Sequence, residues 1–494
     1  MTAVHVLKAP PFHLRTPSRR RSTWQAAFVI VLALTSGCTV GPDYVPPTID
    51  HSDQWSTSAA AVNNDDPQLS QWWSLFNDPQ LENYIDQAVS HNRTLAIAKT
   101  NILRAHALRR QAGSLFFPTV DGSLSHTRQG TSGTTADTFS GGSRRTLYNV
   151  GIESTWELDI FGGLRRQANA SDARLESAIA DKDTVLLGIV AEVGRTYFDV
   201  LGLQKRIDII EKNIALQAKT FELIQDLFNA GEATEFDLSR AHAQEQLTRS
   251  QLPDLKAEMK ASIFRLSVLL GQAPEFLLDS FVSGQALPQA PDVISTGIRS
   301  DVLRRRPDIR RAEWDLAAAT EDIGVQVAEL FPRFFLTGSI GRASSTSSNL
   351  ADQLSNTFSF GQLMQWPIFN AGRLRAQIDV EKADAAMAAD HYEQTVLDVL
   401  SEVESSLARY IEKRATRDKL QQAFVSQQRA AELARVLFNS GETDFLAVLD
   451  AERMLSDMED SLATSEIDVL LNLVTVYAAL GGGWQPYSLT SSTN

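Results

Sequence analysis

The chain has 494 residues, a formal net charge of −14 and a single cysteine, Cys38, which excludes an internal disulfide and any cysteine-built zinc or iron–sulfur site. Its eight histidines lack His-x-His or His-x-x-x-His spacing, and the acidic balance is the opposite of the basic face that a nucleic-acid binder needs. At 43% hydrophobic and 21% charged residues the composition is that of a folded chain, not a disordered one.

Lys8, Arg15, Arg19, Arg20 and Arg21 precede Cys38 with no acid among them, and the apolar run Trp24 to Leu34 leads to Thr35, Ser36 and Gly37. Residues 1–37 therefore read as a signal peptide whose apolar run is too short to span a bilayer. Cys38 stands where a bacterial lipoprotein is cleaved and acylated. A strict site carries Leu three residues earlier; here Thr35 holds that place and Leu34 is one further back, so plain cleavage leaving a free thiol is the alternative. Acyl chains contribute roughly 0.8 kcal/mol per buried CH₂, enough for stable anchoring when there are two or more. Thr39 is not the Asp of inner-membrane retention, so the outer membrane is the expected destination. Without the five leading cations the charge becomes −19. Wherever a surface that acidic borders water it favours cations over anions. Residues 38–77, with Pro42, Pro46 and Pro47, read as a lipidated N-terminus and extended tether.

The remainder is written twice. Under one shift of 210 residues Trp156, Gly162, Leu164, Arg165 and Ala173 meet Trp366, Gly372, Leu374, Arg375 and Ala383, and the run Leu227 to Asn229 with Gly231 meets Leu437 to Asn439 with Gly441. Repeat 1 covers 78–270 and repeat 2 covers 301–484, joined by a linker at 271–300 and followed by a tail at 485–494. Each repeat predicts a helix, two strands (about 117–160 and 332–369), a long helix (about 163–229 and 373–439) and a return helix (about 234–270 and 443–480). The strand evidence is period two: Tyr148, Val150, Ile152, Trp156 and Leu158 are apolar while Asn149, Glu153, Thr155 and Glu157 are polar. Weaker alternations at Val120 to His126 and Leu336 to Ile340 supply partner strands across Gly/Ser/Thr-rich loops at 129–143 and 342–356.

The long helices carry a heptad seam in repeat 1, from Val200 through Ile207, Ile210, Ile214 and Ile224 to Phe228. Near their starts the long helices are instead alanine-rich, at Ala168, Ala170, Ala173, Ala178 and Ala180 and at Ala383, Ala385, Ala386, Ala388 and Ala389. Each ends at Phe-Asn-(Ala/Ser)-Gly-Glu, where Gly231 or Gly441 can take the left-handed conformation that stops a helix, and Thr234 or Thr443 then starts the return helix. Val469 to Leu480 is the most apolar later stretch, and its Asn472 and Thr475 suit an amphipathic helix.

Four amphipathic strands cannot close a barrel, and an open sheet edge is untenable in lipid. Strands that enter the membrane therefore require several chains.

At this point the sequence resembles the TolC-like outer-membrane efflux channel family in its lipoprotein (NodT-type) branch, over essentially residues 38–484. The resemblance is carried by Cys38 to Tyr44 (Cys-Thr-Val-Gly-Pro-Asp-Tyr), Leu303 to Arg310 (Leu-Arg-Arg-Arg-Pro-Asp-Ile-Arg), Leu330 to Phe334, Trp366 to Arg373, the two tips, and Val448 to Arg453. It implies a mixed α and β membrane protein, a homotrimer with a 12-stranded transmembrane β-barrel, four strands per chain, continuous with a 12-helix periplasmic α-barrel. It also implies partners: a periplasmic adaptor (membrane fusion) protein, an inner-membrane transporter of the RND type, and outer-membrane lipid. Such a chain is a passive exit duct in the outer membrane of a Gram-negative bacterium, with no cofactor and no catalysis.

The same resemblance implies site roles. Leu446 and Asp450 fall where similar proteins close the pore with an apolar ring and an aspartate ring, and four-residue spacing puts them on one helix face. Some relatives carry a locking arginine two residues after the tip glycine; this chain has Thr443 there. Asn229, Gly231, Glu232, Asn439, Gly441 and Glu442 form the tips expected to dock the adaptor. The cluster Arg304, Arg305, Arg306 reads as a salt-bridged helix start, given Asp301 and Asp308 beside it. Competing readings are a duct for type I secretion or metal efflux, and a periplasmic coiled-coil scaffold lipoprotein without a pore.

Overall fold

A computed structural model describes residues 39–47, 54–56, 62–63, 69–130, 132, 144–281, 286–291 and 293–487; the signal peptide, Cys38 and most of the 129–143 loop lie outside them. The elements in chain order are β1 (Val62–Asn63), α1 (Pro79–His91), α2 (Arg93–Ser114), β2 (Thr119–Gly130), β3 (Arg144–Leu158), α3 (Gly163–Asn229), α4 (Glu235–Leu269), β4 (Ile294–Ser295), α5 (Arg299–Arg305), α6 (Pro307–Ala328), β5 (Arg333–Ser344), β6 (Asn356–Gln365), α7 (Arg373–Asn439) and α8 (Phe445–Ala479). Helices α3 and α7 each have 67 residues, and α4 and α8 each have 35. At 1.5 Å per residue, α3 and α7 are each about 100 Å long. Both ends of α7 and α8 lie 210 positions after those of α3 and α4. The chain divides into a sheet unit (Met1–Asp43, Gln111–Asn169, Thr320–Lys382) and a helical unit (Tyr44–Arg110, Ala170–Ala319, Ala383–Asn494).

In the sheet unit four antiparallel strands run in the order β2-β3-β5-β6. The register pairs Val120 with Ser154, Ile152 with Ile340 and Phe360 with Gly338, so even-numbered positions of all four strands share one face. That face carries Val120 and Leu124, then Tyr148, Val150, Ile152 and Trp156, then Phe334, Leu336 and Ile340, then Phe358, Phe360 and Met364, most of them exposed. The odd face is mainly Ser, Thr, Asn, Asp, Glu and Gln, with Leu147, Phe335 and Leu363 as apolar exceptions. Strands β2 and β6 are edge strands, each paired on one side only among the described residues.

Strand β3 begins four residues before the alternation at Tyr148 and stops at Leu158, short of Ile160. The stop has a local cause: the Asp159 carboxylate accepts from the Leu164 and Arg165 amides at 3.1 and 3.0 Å and so caps α3. Strand β2 runs on to Gly130 because ladder bonds to β3 need no side-chain alternation. Strand β6 ends at Gln365, two residues before Pro367, which has no amide to donate. Trp156 and Trp366 play matching parts, their indole N–H groups donating to Phe116 O at 2.9 Å and Leu330 O at 3.1 Å.

In the helical unit the heptad seam is largely covered: Val200, Ile207, Ile210, Ile214 and Ile224 are buried, while Phe228 at the end is exposed. Ala170, Ala173 and Ala180 near the start of α3 are buried, but Ala383 of α7, which matches Ala173, is exposed, as are Ala386, Met387 and Leu397. One 18-residue window of α8 reaches a mean hydropathy of 1.3, but 67% of it is buried, which marks α8 as a core helix.

Two parts of the chain expected to be plain connectors are packed. Within the 38–77 tether, Trp72, Trp73 and Phe76 form a 3-10 turn whose side chains enter the main core, and Trp72 stacks on Tyr477 at 5.8 Å between ring centroids. Trp55 is buried and its indole N–H donates to Gly297 O at 2.9 Å. Within the 271–300 linker, Leu277 and Phe281 join the same core, and Ile294 and Ser295 pair in parallel with Val62 and Asn63. Apolar side chains at these points gain more from burial than an extended segment gains from chain freedom. Arg306, in the arginine cluster, also has a larger role than a helix-start ion pair. It is buried, donates to Ala479 O at 2.8 Å and Ala478 O at 3.4 Å at the end of α8, and pairs with Asp308 at 2.6 Å and Glu402 at 2.9 Å.

Trp72→Ala is expected to destabilise the helical unit by about 3–5 kcal/mol, as large aromatic truncations in cores do. The check is a thermal melt of the detergent-extracted protein; an unchanged melt would mean that the segment is a tether after all.

Candidate functional site

The two hairpin tips are built from identical backbone logic. Gly231 and Gly441 have φ of 82° and 77°, in the left-handed region, and a Cβ on either would meet nothing within 4 Å. Their amides donate to Phe228 O at 3.0 Å and Phe438 O at 2.9 Å, while Glu232 and Glu442 donate to Leu227 O at 2.8 Å and Leu437 O at 2.9 Å. This is the Schellman pattern, which satisfies the last carbonyls of α3 and α7 and turns the chain. Glycine is thus required by φ and not by crowding, and Asn229, Gly231, Glu232, Asn439, Gly441 and Glu442 all stand exposed.

The return helices start differently. Thr234 and Asp237 form a reciprocal capping box at α4, with Asp237 N to Thr234 Oγ1 at 3.2 Å and Thr234 N to Asp237 Oδ2 at 3.1 Å. At α8 the cap is Asp444, whose carboxylate accepts from Ala447 N at 3.1 Å, and not Thr443. Asp444 lies 210 residues after Thr234, so the two caps are equivalent and Thr443 is one residue too early.

Both tips share one apolar cluster. Ile224 of α3, Ala241 of α4 and Phe445, Val448 and Leu449 of α8 are its buried members, and Phe438 of α7 packs on Phe445 at 6.0 Å. Beside it, the buried carboxylate of Glu452 accepts from Arg435 Nε at 2.8 Å and from Thr220 Oγ1 at 3.4 Å, tying α7, α8 and α3 together. Leu446 and Asp450 lie one turn apart on α8, both exposed, and the structure adds a partner that the sequence reading missed: Arg453 Nη2 donates to Asp450 Oδ1 at 3.0 Å. The i,i+3 spacing was visible all along.

Cys38 lies outside the described residues, but the segment after it is firmly held. Val40 N donates to Phe161 O at 3.1 Å. Arg166, with its side chain 4% exposed, donates from Nε to Val40 O at 3.1 Å, from Nη2 to Gly41 O at 3.3 Å and to Asp43 Oδ1 at 2.7 Å, and from Nη1 to Glu321 Oε2 at 3.1 Å. The fit is close enough to require glycine: at Gly41, φ is 92° and a Cβ would lie 2.5 Å from the Gly324 Cα. Next in the chain, Tyr44 donates to Glu313 Oε1 at 3.4 Å, and burial first, then the Glu313 carboxylate, hold its hydroxyl well above the ordinary phenol range. No local sequence signal marks the second arginine of Leu164-Arg165-Arg166, because its partners lie 123 to 155 positions away.

A sheet with one apolar and one polar face, together with paired long helices meeting at exposed tips, defines the class of membrane-inserted channel subunits. The chain matches the profile of the outer membrane efflux protein family over residues 84–272 and 298–482, and it belongs to that family. It is 30% identical over 460 residues to Nodulation protein T of Rhizobium leguminosarum bv. trifolii, covering 92% of this chain and 96% of that one. It is 31% identical over 471 residues to the solvent efflux pump outer membrane protein SrpC of Pseudomonas putida, covering 92% and 97%. Among solved structures, that of the outer-membrane channel OprN superposes with a TM-score of 0.85 at 35% identity, covering 91% of this chain and all of that one. The protein is an outer-membrane efflux channel of the NodT-type branch, with a mixed α and β fold.

Removing the Arg166 guanidinium leaves the Glu321 carboxylate and two carbonyls without their donor. Arg166→Ala is expected to cost about 3 kcal/mol and to expose the peptide before Tyr44 to protease. A melt and cleavage rate equal to wild type would contradict the clamp.

Proposed function

We propose that three copies of this chain close a 12-stranded barrel in the outer membrane, and that the duct so formed receives small molecules from a periplasmic adaptor and an inner-membrane transporter of the RND type. The observation that carries this reading is the four-stranded sheet with a continuous apolar face and two open edges, β2 and β6. In lipid each unpaired backbone group costs several kcal/mol, so such edges must be paired, and a neighbouring copy supplies β2 to meet β6. Exposed Met387 and Leu397 on α7 support the same arrangement in the helical part. The repeat of element lengths at a 210-residue offset supports a duplicated ancestral unit, so three chains yield six near-equivalent sectors and a 12-helix α-barrel. Cys38 is the acylation site, and Arg166 holds the five residues that follow it.

Leu446 and Asp450 act as the periplasmic gate. Three Asp450 carboxylates brought near one axis repel by roughly 1–4 kcal/mol per pair at about 4 Å, depending on the local dielectric. Arg453 on the same helix offsets that repulsion, so each chain carries its own counter-charge instead of an arginine at position 443. In planar bilayers Asp450→Ala is expected to raise single-channel conductance, with both proteins on the cation-selective side of the reversal potential. Equal conductance sinks the gate, and anion selectivity sinks the acidic lumen.

The tips dock the adaptor's helical hairpin. Because a Cβ at Gly231 or Gly441 would meet open space but a left-handed φ, bulky residues there change the turn while leaving the cluster around Phe445 packed. Replacing both glycines with valine is expected to abolish adaptor cross-linking and to lower efflux-dependent resistance while trimers persist. Undiminished cross-linking would remove the docking role.

A further inference from the structure

The apolar face of the sheet has an electrical polarity. Its described residues include no Asp or Glu, and its arginines, Arg128 on β2, Arg144 on β3 and Arg342 on β5, all lie toward the strand ends farthest from α2 and α3. Each follows the last apolar, aromatic or imidazole side chain of its strand on this face: His126, Tyr148 and Ile340. The acids of the two central strands, Glu153 and Glu157, sit on the opposite face, where Glu157 pairs with Arg333 at 2.5 Å.

Depth follows from strand geometry. Leu158 to Tyr148 is ten steps of about 3.3 Å, which at a tilt near 40° gives an apolar band of about 25 Å, the height usual for a transmembrane barrel. Arg144 lies four residues beyond Tyr148, roughly 10 Å higher, at headgroup level. Arg128 faces Thr146 and is the diagonal neighbour of Arg144, since Arg144 faces Gly130; such diagonal positions are about 7–8 Å apart. Both are exposed. Arg342 is committed elsewhere, donating to Ala351 O at 3.1 Å, Leu350 O at 3.5 Å and Asn356 Oδ1 at 3.2 Å to brace the outer loop. Below the pair, His126 and Tyr148 stack at 4.5 Å between ring centroids, a flat interfacial platform.

We propose that Arg128 and Arg144 form a binding site for the phosphate groups of a glycolipid in the outer leaflet, three such sites per trimer, with the acyl chains lying against the apolar face beneath. The proposal rests on the barrel reading above. Two exposed guanidiniums on neighbouring strands, on a face whose described residues include no acid, match a bisphosphorylated headgroup in charge, and each can donate in pairs to phosphate oxygens. Arg145, between them in the chain side of the ladder, projects to the other face and takes no part.

The test uses the full trimer and bisphosphorylated lipid A as probe, with native mass spectrometry reading the bound fraction. Wild type is expected to hold lipid A on the order of thirtyfold more tightly than R128Q/R144Q, following the usual contribution of about fivefold for each of the two interfacial cations in a site. R128K/R144K is expected to retain most of that binding, R145Q all of it, and dephosphorylated lipid A to bind wild type no better than it binds the double variant. Equal binding by wild type and R128Q/R144Q, an equal loss in R145Q, or saturation by inorganic phosphate alone would overturn the site. Wild-type conductance in planar bilayers alongside such a result would refute the site and leave the duct standing; no conductance from wild type would refute the duct and the site together.

Discussion

Backbone hydrogen bonding at the edges of one small sheet is the constraint from which the rest follows. Four strands with an apolar face are stable only where that face meets lipid or protein, and β2 and β6 then cannot remain open. On the reading proposed above, a chain with this sheet is therefore committed to partners of its own kind. The commitment explains features that look like defects in one copy, such as an apolar β6 exposed along its whole length and uncovered alanines at the start of α7. A stable monomer would have to hide them, whereas a subunit must present them.

Long helices must also be kept in register with their neighbours. A 67-residue helix packed mainly through a heptad seam can slip by a turn at modest cost, so polar contacts that cannot slip acquire weight. Arg206 with Asp460 at 2.7 Å, Asn213 with Ser456 at 2.9 Å and Glu452 with Arg435 and Thr220 mark successive levels of α3 against α8 and α7. Each is worth little alone where exposed. The buried carboxylate of Glu452 is different, because shifting it away from Arg435 leaves a charge without its partner in a desolvated place. It lies two residues beyond Asp450, so the part of α8 that carries the proposed gate is also tied to α3 and α7.

How much of this was legible in the sequence depends on the range of the interaction. The alternation from Tyr148 to Leu158 is a local signal and located β3. The glycine at each tip is equally local, because the left-handed φ is a property of one residue. Cap choice was local too, yet Thr443 and Asp444 are both good caps, and only the backbone angles decide between them. Arg166 and Arg306 were invisible for a different reason. Their partners are distant carbonyls, which every residue possesses and no composition reveals. Trp72 and Trp73 belong with them: an aromatic pair in a polar stretch has no period, and what it packs on lies about 400 positions away in Tyr477 and Tyr487.

Those long-range contacts share a direction. Trp72 and Trp55 join the N-terminal segment to the helical core, Arg306 ties the turn between α5 and α6 to the end of α8, and Arg166 ties residues 40–43 to Glu321 within the sheet unit. None lies on the apolar face, at the tips or near Asp450. These anchors therefore sit apart from the apolar sheet face and the exposed tips, while the tips themselves are held by the Phe445 cluster and by Glu452. Within this chain the buried Arg166, Arg306, Trp55 and Trp72 hold connections that no local sequence pattern specifies.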